Sequence, residues 1–228
     1  MDVTAADLSA LCGIVNVGMQ AAAGQLSGLL GENIRLAVAH VTISPLEQVL
    51  PLLRLGNVQV ACIWQQVRGS LDGSVMLLIH PDDSLALTSA LLGNVPSLSE
   101  AANGVVQHEA LTEIANIIVS SCTAALSDRL GMQIALSVPE FFEQKLTSLF
   151  DDALADLDGS RAGTRASGRT LPGSHNWAQV MVMSVAMNAA HQPINSTLVM
   201  MLGAESMHAI VRCLQAAPSA GLSAQGQA

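Results

Sequence analysis

The chain repeats one pattern of residues at an interval of 100 positions. The stretch LCGIVNVGMQAAAGQLSGLLGENIRLAVAH, residues 11–40, is matched by LTEIANIIVSSCTAALSDRLGMQIALSVPE, residues 111–140. Identical residues recur in register, among them Leu11 and Leu111, Ile14 and Ile114, Asn16 and Asn116, Leu26 and Leu126, and Gly31 and Gly131. A chain of 228 residues can bury a sizeable core, and the repeat favours one pseudo-symmetric unit built from two related halves.

Two positions break the match between the copies. Gly13 stands where the second copy has Glu113, and Ala39 stands where it has Pro139. The second copy therefore carries an acidic residue and a proline that the first copy lacks.

Each half is predicted to begin with a long helix and to continue as strands. Apolar periodicity predicts helices from Asp7 to about residue 30 and from His108 to about residue 130. Gly31 and Gly131 are predicted to be the left-handed residues that end these helices. Alternating segments then predict a strand and a hairpin in each half, so the fold class is α+β, with helices packed on a largely antiparallel sheet.

An insertion lengthens the second half. Farther along the chain, matching residues such as Ser74 and Ser196 are offset by 122 positions instead of 100. The extra residues fall in DGSRAGTRASGRTLPGSHN, residues 158–176, whose Gly, Ser and Arg content predicts a flexible loop. The predicted organisation is a single domain over residues 1–216, with repeats at about 7–93 and 107–216, followed by a disordered tail at 217–228.

Composition narrows the class of partner. The formal net charge is -9 and only 12% of the residues are charged, so the chain lacks a basic surface and nucleic acid is not an expected partner. Neither the four cysteines nor the six histidines show metal-ligand spacing, which predicts no metal site and a reducing cytoplasm. The uncharged run at residues 8–31 has the length of a membrane span, but Asn16, Gln20 and Gln25 interrupt it, so no membrane partner is expected.

A polar stripe runs along the second predicted helix. Its members are spaced four, three and four apart, which puts them on one helix face: Glu109, Glu113, Asn116 and Ser120. Such a stripe is typical of a solvated surface, and that interpretation stays open at this point. Asn is a weak helix former, however, and its presence in mid-helix as both Asn16 and Asn116 indicates a further use.

The spacing resembles the motif of the CheC/CheX/FliY family of bacterial chemotaxis phosphatases. That motif is Asp or Ser, three residues, Glu, two residues, Asn, twenty-two residues and Pro. It is matched by Glu109, Glu113, Asn116 and Pro139, with Glu109 in place of the usual Asp or Ser. Residues 64–93 also resemble the strand, turn, strand and helix block of the family.

The layout resembles that of CheC, whose members carry two copies of the motif. In the first copy of this chain Ser9 and Asn16 remain, but Gly13 and Ala39 replace the Glu and the Pro. The resemblance therefore implies a CheC-like duplicated fold with pseudo-two-fold symmetry, one competent site on the second helix, and a vestigial site at Ser9 and Asn16.

The resemblance also implies a reaction, namely hydrolysis of the aspartyl phosphate of a CheY-like response regulator. The regulator holds a magnesium ion in its own site, so this chain is expected to need no cofactor or metal. Asn116 and Glu113 are the implied catalytic residues: Asn116 would orient the attacking water, and Glu113 would pair with the active-site lysine of the regulator. Glu109 would add a partner contact, and Pro139 would shape the strand behind the helix.

Two other functions are left open. A non-catalytic CheC-like module could capture a phosphorylated receiver or bind a CheD-like deamidase. A flagellar-switch component of the FliY type is the second alternative. It is disfavoured because the further switch-binding domain expected of such a component does not follow Gln215. Turnover of a phosphorylated receiver would separate an enzyme from either binding function.

Overall fold

The computed structural model describes residues 3–31, 33–53, 58–92, 100–148, 179–189 and 192–216. Its helices are α1 (Ala5–Leu30), α2 (Val49–Leu53), α3 (Pro81–Leu92), α4 (Glu100–Leu130) and α5 (Ala204–Ala216). Its strands are β1 (Arg35–Ser44), β2 (Gln59–Gly69), β3 (Gly73–Ile79), β4 (Ile134–Leu136), β5 (Glu140–Lys145), β6 (Gln179–Ala189) and β7 (Gln192–Leu202). The loop predicted at 158–176 and the tail predicted at 217–228 lie outside the described residues.

The seven strands form one sheet in which every pairing is antiparallel. The order is β1-β6-β7-β3-β2-β4, and β5 pairs with β2 beside β4. Each outer strand therefore pairs with a hairpin from the other half of the sequence, because β1 joins β6 while β4 and β5 join β2. The predicted α+β class with a largely antiparallel sheet is confirmed.

The two long helices, α1 and α4, pack against each other and share one hydrophobic core with the sheet. They approach closely at Gly18, where a Cβ atom would lie 2.7 Å from the carbonyl oxygen of Ser121. By length and composition, residues 5–30 and 104–130 could each cross a membrane, and 33% and 56% of the respective apolar windows are buried inside the fold. The buried residues of both helices pack in this common core.

A second apolar cluster includes residues of α2 and the sheet. Leu46, Val49 and Leu53 are buried together with Trp64 of β2. Every residue of β3 is buried, in keeping with its central place in the sheet. The apolar run of this strand is the pattern expected when both faces of a strand are covered.

The C-terminal ends of α1 and α4 follow the prediction, and the start of α4 does not. Gly31 and Gly131 come directly after the helices with φ of 68° and 65°, as left-handed cap residues. Helix α4 begins at Glu100 instead of near His108. The intervening segment contains no proline and only one glycine, Gly104, whose cost of about 1 kcal/mol a long packed helix can absorb.

Candidate functional site

The polar stripe lies on the outer face of α4. Glu109 and Glu113 are exposed and Asn116 is half-buried, whereas Leu111 and Ile114 on the opposite side are buried in the core. Neither glutamate forms an ion pair or a hydrogen bond with any residue that the structure describes. Both carboxylates are therefore available to a cationic group outside the chain.

The carboxamide of Asn116 contacts a glutamine from β2. Nε2 of Gln65 lies 3.3 Å from Oδ1 of Asn116 and 2.9 Å from the carbonyl oxygen of Ser137. A backbone carbonyl can only accept, so the amide nitrogen of Gln65 must face Ser137, and its second N–H is then directed to Asn116. Nδ2 of Asn116 has no hydrogen-bond partner among the described residues and is not fully buried.

The end of β4 explains why the carbonyl of Ser137 can accept this bond. The backbone N–H of Gln66 donates to Oγ of Ser137 at 2.9 Å, and the N–H of Ser137 donates to the carbonyl of Gln66 at 2.9 Å. The hydroxyl of Ser137 thus accepts the hydrogen bond that its own carbonyl would accept in a regular antiparallel ladder, which leaves the carbonyl available to Gln65. Pro139, which has no N–H, lies two residues after Ser137 and separates β4 from β5.

Asn16, at the matching position of α1, makes different contacts. Its Nδ2 donates to the carbonyls of Val38 at 2.8 Å and Cys12 at 3.0 Å, and its Oδ1 accepts from the N–H of Val38 at 2.9 Å. These bonds tie α1 to β1 at the point where the pairing with β6 shifts register, between Val38 and Val41. Both ends of this carboxamide are occupied by the backbone, a structural use that the spacing alone did not predict.

The structure brings three of the predicted site residues together and keeps two apart. Glu109, Glu113 and Asn116 share one face of α4, while Ser9 and Asn16 belong to α1. Ser9 is exposed. A Cβ atom at Gly13 would meet no atom within 4 Å, so the missing carboxylate of the first copy reflects the residue type and not a lack of space.

Two contacts near the stripe were not foreseen from the sequence. Gln65 is 2% exposed and lies in the apolar strand segment VACIWQQV, where a polar residue at a buried position was the available signal. His108 stacks on Phe141 of β5, with ring centroids 4.1 Å apart and an interplanar angle of 25°. The stacking contact joins the first half of α4 to the edge of the sheet.

Thiol or metal chemistry finds little support in the described part of the chain. Burial raises the pKa of the Cys122 thiol to about 12, and burial also raises the pKa of Cys62. A thiol held protonated in this way is a poor nucleophile. No group of three or more His, Cys, Asp or Glu side chains with a metal-binding arrangement occurs among the described residues.

Comparisons with known proteins give one similar sequence and several similar folds. No protein-family model matches the chain. It is similar to the CheY-P phosphatase CheC of Bacillus subtilis (strain 168), with 24% identity over 152 residues, which cover 66% of this chain and 72% of CheC. Its fold is similar to that of Thermotoga maritima FliY, with a TM-score of 0.67 and 18% identity, covering 94% of this chain and 98% of that one.

A further structural match is the FliM middle domain from H. pylori. Its TM-score is 0.53 at 12% identity, and the match covers 92% of this chain and 99% of that domain. At such identities a structural likeness speaks for the fold alone. Together with the similarity to CheC, these matches confirm the resemblance to the CheC/CheX/FliY family and the mixed fold of helices and antiparallel sheet.

Proposed function

On the premise that the chain belongs with the CheC/CheX/FliY family, we propose that it hydrolyses the aspartyl phosphate of a CheY-like receiver domain. The observation that carries this proposal is the half-buried carboxamide of Asn116, whose only hydrogen-bond partner among the described residues is Gln65, on the same helix face as the exposed carboxylate of Glu113. Asn16 offers no such group because its carboxamide is bound to Val38 and Cys12. The chain accordingly has one active site, on α4.

In the proposed reaction, Asn116 positions a water molecule in line with the acyl oxygen of the phosphoaspartate. Water attacks phosphorus, the bond between phosphorus and the aspartyl oxygen breaks, and inorganic phosphate leaves with the proton of the water. Oδ1 of Asn116 accepts one hydrogen bond from Gln65 and keeps a second lone pair for the water. Positioning and electrostatics supply most of the catalysis in phosphoryl transfer, so a carboxamide suffices where a strong base is absent.

Glu113 has the role of an anchor in this proposal. Its free carboxylate pairs with the active-site lysine of the receiver and holds α4 in register with the phosphoaspartate. Glu109, one turn earlier on the same face, adds a contact at the edge of the docked surface. The magnesium ion of the reaction belongs to the receiver, and we assign the activity to chemotaxis or two-component signalling in the cytoplasm.

The test is to follow the decay of a phosphorylated CheY-like receiver from the same genome, with magnesium present and the protein substoichiometric. Wild-type protein and the Asn16→Ala variant should accelerate the decay, and the Asn116→Ala variant should not. Asn16→Ala is the matched control because it removes the same side chain from the other repeat. An Asn116→Ala variant that kept full activity would overturn the proposal.

A non-catalytic binding function is the second candidate, and the similarity of the fold to the FliM middle domain leaves it open. Under this alternative the face of α4 binds a phosphorylated receiver, or another face binds a CheD-like protein, and phosphate is not released. Wild-type protein that binds the phosphorylated receiver and leaves its decay rate unchanged would establish the binding function in place of the enzyme.

A further inference from the structure

A buried glutamine from the first half of the sequence reaches the site on α4. Gln65 lies in β2, which pairs with β4 and β5 of the second half. It is 2% exposed, and its Oε1 is buried without a hydrogen-bond partner among the described residues. A buried glutamine is destabilising where its polar atoms lack partners, and here only the amide nitrogen has partners among the described residues, namely Ser137 and Asn116.

We propose that Gln65 is a positioning residue that holds the carboxamide of Asn116 in its reactive orientation. The proposal rests on the phosphatase function proposed above and goes beyond it by assigning a part of the site to the other repeat. Gln65 is too deeply buried to touch a docked receiver, so it acts only through Asn116.

Two hydrogen bonds of Gln65 set the orientation of the Asn116 carboxamide. The carbonyl of Ser137 can only accept, so it draws the NH₂ group of Gln65 toward itself at 2.9 Å. The same NH₂ group then faces Oδ1 of Asn116 at 3.3 Å, which fixes the direction of the oxygen whose second lone pair accepts from the water. Without Gln65 the two orientations of the Asn116 carboxamide would differ little in energy, and the water would be positioned in only some of the molecules.

The other repeat lacks this arrangement. Val38 of β1 pairs with Val185 of β6, so an apolar, buried side chain lies opposite the residue that binds Asn16. Asn16 is oriented by the backbone N–H and carbonyl of Val38 instead. Asn116, whose Nδ2 has no hydrogen-bond partner among the described residues, therefore has the glutamine donor Gln65. Asn16, whose carboxamide is hydrogen-bonded at both ends, has Val185 opposite its binding partner Val38.

The decisive variant is Gln65→Met, which keeps the length of the side chain and removes both its donor and its unpartnered acceptor. We expect kcat for the phosphorylated receiver to fall on the order of tenfold or more, because the water is misplaced. KM should stay the same, because Glu113 still anchors the receiver, and the melting temperature should not fall. Gln66→Leu is the matched control, since the side chain of Gln66 bonds only to Arg68 among the described residues.

A double-variant cycle shows whether Gln65 acts through Asn116. In the Asn116→Ala background, Gln65→Met should cause no additional loss, because the group that it orients is gone. An equal loss in both backgrounds would overturn the proposal, as would wild-type kcat in the single variant. A parallel fall of kcat and melting temperature would indicate a structural role and would overturn it as well.

The side-chain amide signals of Asn116 in NMR spectra give a measurement that does not depend on activity. Gln65→Met should shift and broaden them, and Gln66→Leu should leave them unchanged. If wild-type protein binds the receiver without accelerating decay, the phosphatase function fails and any catalytic part for Gln65 fails with it. The spectra then still decide whether Gln65 orders Asn116, and unchanged signals would contradict that contact.

Discussion

The side chain of Asn16 forms a two-point hydrogen bond with the backbone of Val38, accepting from its N–H at 2.9 Å and donating to its carbonyl at 2.8 Å. The equivalent asparagine in the second copy, Asn116, has only Gln65 as a hydrogen-bond partner among the described residues. Two asparagines at matching sequence positions therefore have different tasks. Asn16 joins a helix to a strand, and Asn116 keeps a hydrogen-bonding group free.

Replacing Asn16 should lower stability more than activity. Asn16→Ala removes three side-chain hydrogen bonds to backbone groups and leaves the N–H and the carbonyl of Val38 without these partners, so the free energy of unfolding should fall by about 1–3 kcal/mol. Asn116→Ala should cost less, because only the bond from Gln65 is lost. Urea unfolding of both variants measures the difference, and equal stability losses would contradict the structural task of Asn16.

Restoring the missing glutamate should not restore a second site. Gly13→Glu puts its Cβ atom where no atom lies within 4 Å and replaces an exposed glycine within α1, so stability should rise by about 0.5–1 kcal/mol. Combined with Asn116→Ala, it should give no phosphatase activity, because Asn16 stays bound to Val38. Gly13→Ala controls for helix propensity, and receiver decay above background in the combined variant would refute the assignment of one active site.

Glu113 should contribute to binding of the receiver. Glu113→Gln keeps the shape of the side chain and removes its charge, so KM for the phosphorylated receiver should rise about tenfold, as the loss of one charged hydrogen bond predicts. The KM of the variant should also depend less on salt concentration than that of the wild type. Glu109→Gln, one turn away, should have a smaller effect, and an unchanged KM in Glu113→Gln would argue against the anchor.

The close approach of α1 and α4 should make Gly18 sensitive to any side chain. Gly18→Ala would put a methyl group 2.7 Å from the carbonyl oxygen of Ser121, so the helices must separate and stability should fall by about 1–3 kcal/mol. Gly24→Ala is the matched control in the same helix, because a Cβ atom there meets nothing within 4 Å. That variant should be more stable than wild type by up to about 1 kcal/mol in thermal or urea unfolding.

The first turn of α1 should make stability depend on acid pH. The backbone N–H and the hydroxyl of Thr4 donate to Asp7 and lower its pKa below the ordinary value of 3.8. Since the carboxylate is favoured in the folded state, its contribution is complete above the unfolded pKa and is lost as the pH falls through the folded pKa. Asp7→Asn should therefore be less stable than wild type at pH 7, with a smaller difference at pH 3. A constant difference would contradict this linkage.

Much of the fold could be predicted because its signals are local. The long helices, their glycine caps and the antiparallel sheet follow from apolar periodicity and from the conformations that glycine allows. The stripe of Glu109, Glu113 and Asn116 also follows from spacing, because residues three and four apart on a helix share a face whatever surrounds it.

What the sequence by itself determined was the fold class and which residues of α4 face outward, since both depend on neighbours along the chain. Only the tertiary structure decided which asparagine has its carboxamide fully hydrogen-bonded within the described part of the fold and which has not. Asn16 meets the backbone of Val38 across 22 positions, and Asn116 meets Gln65 across 51 positions through a strand that belongs to the other half. Such partners depend on the pairing of β2 with β4 and β5, and spacing within one helix carries no information about that pairing.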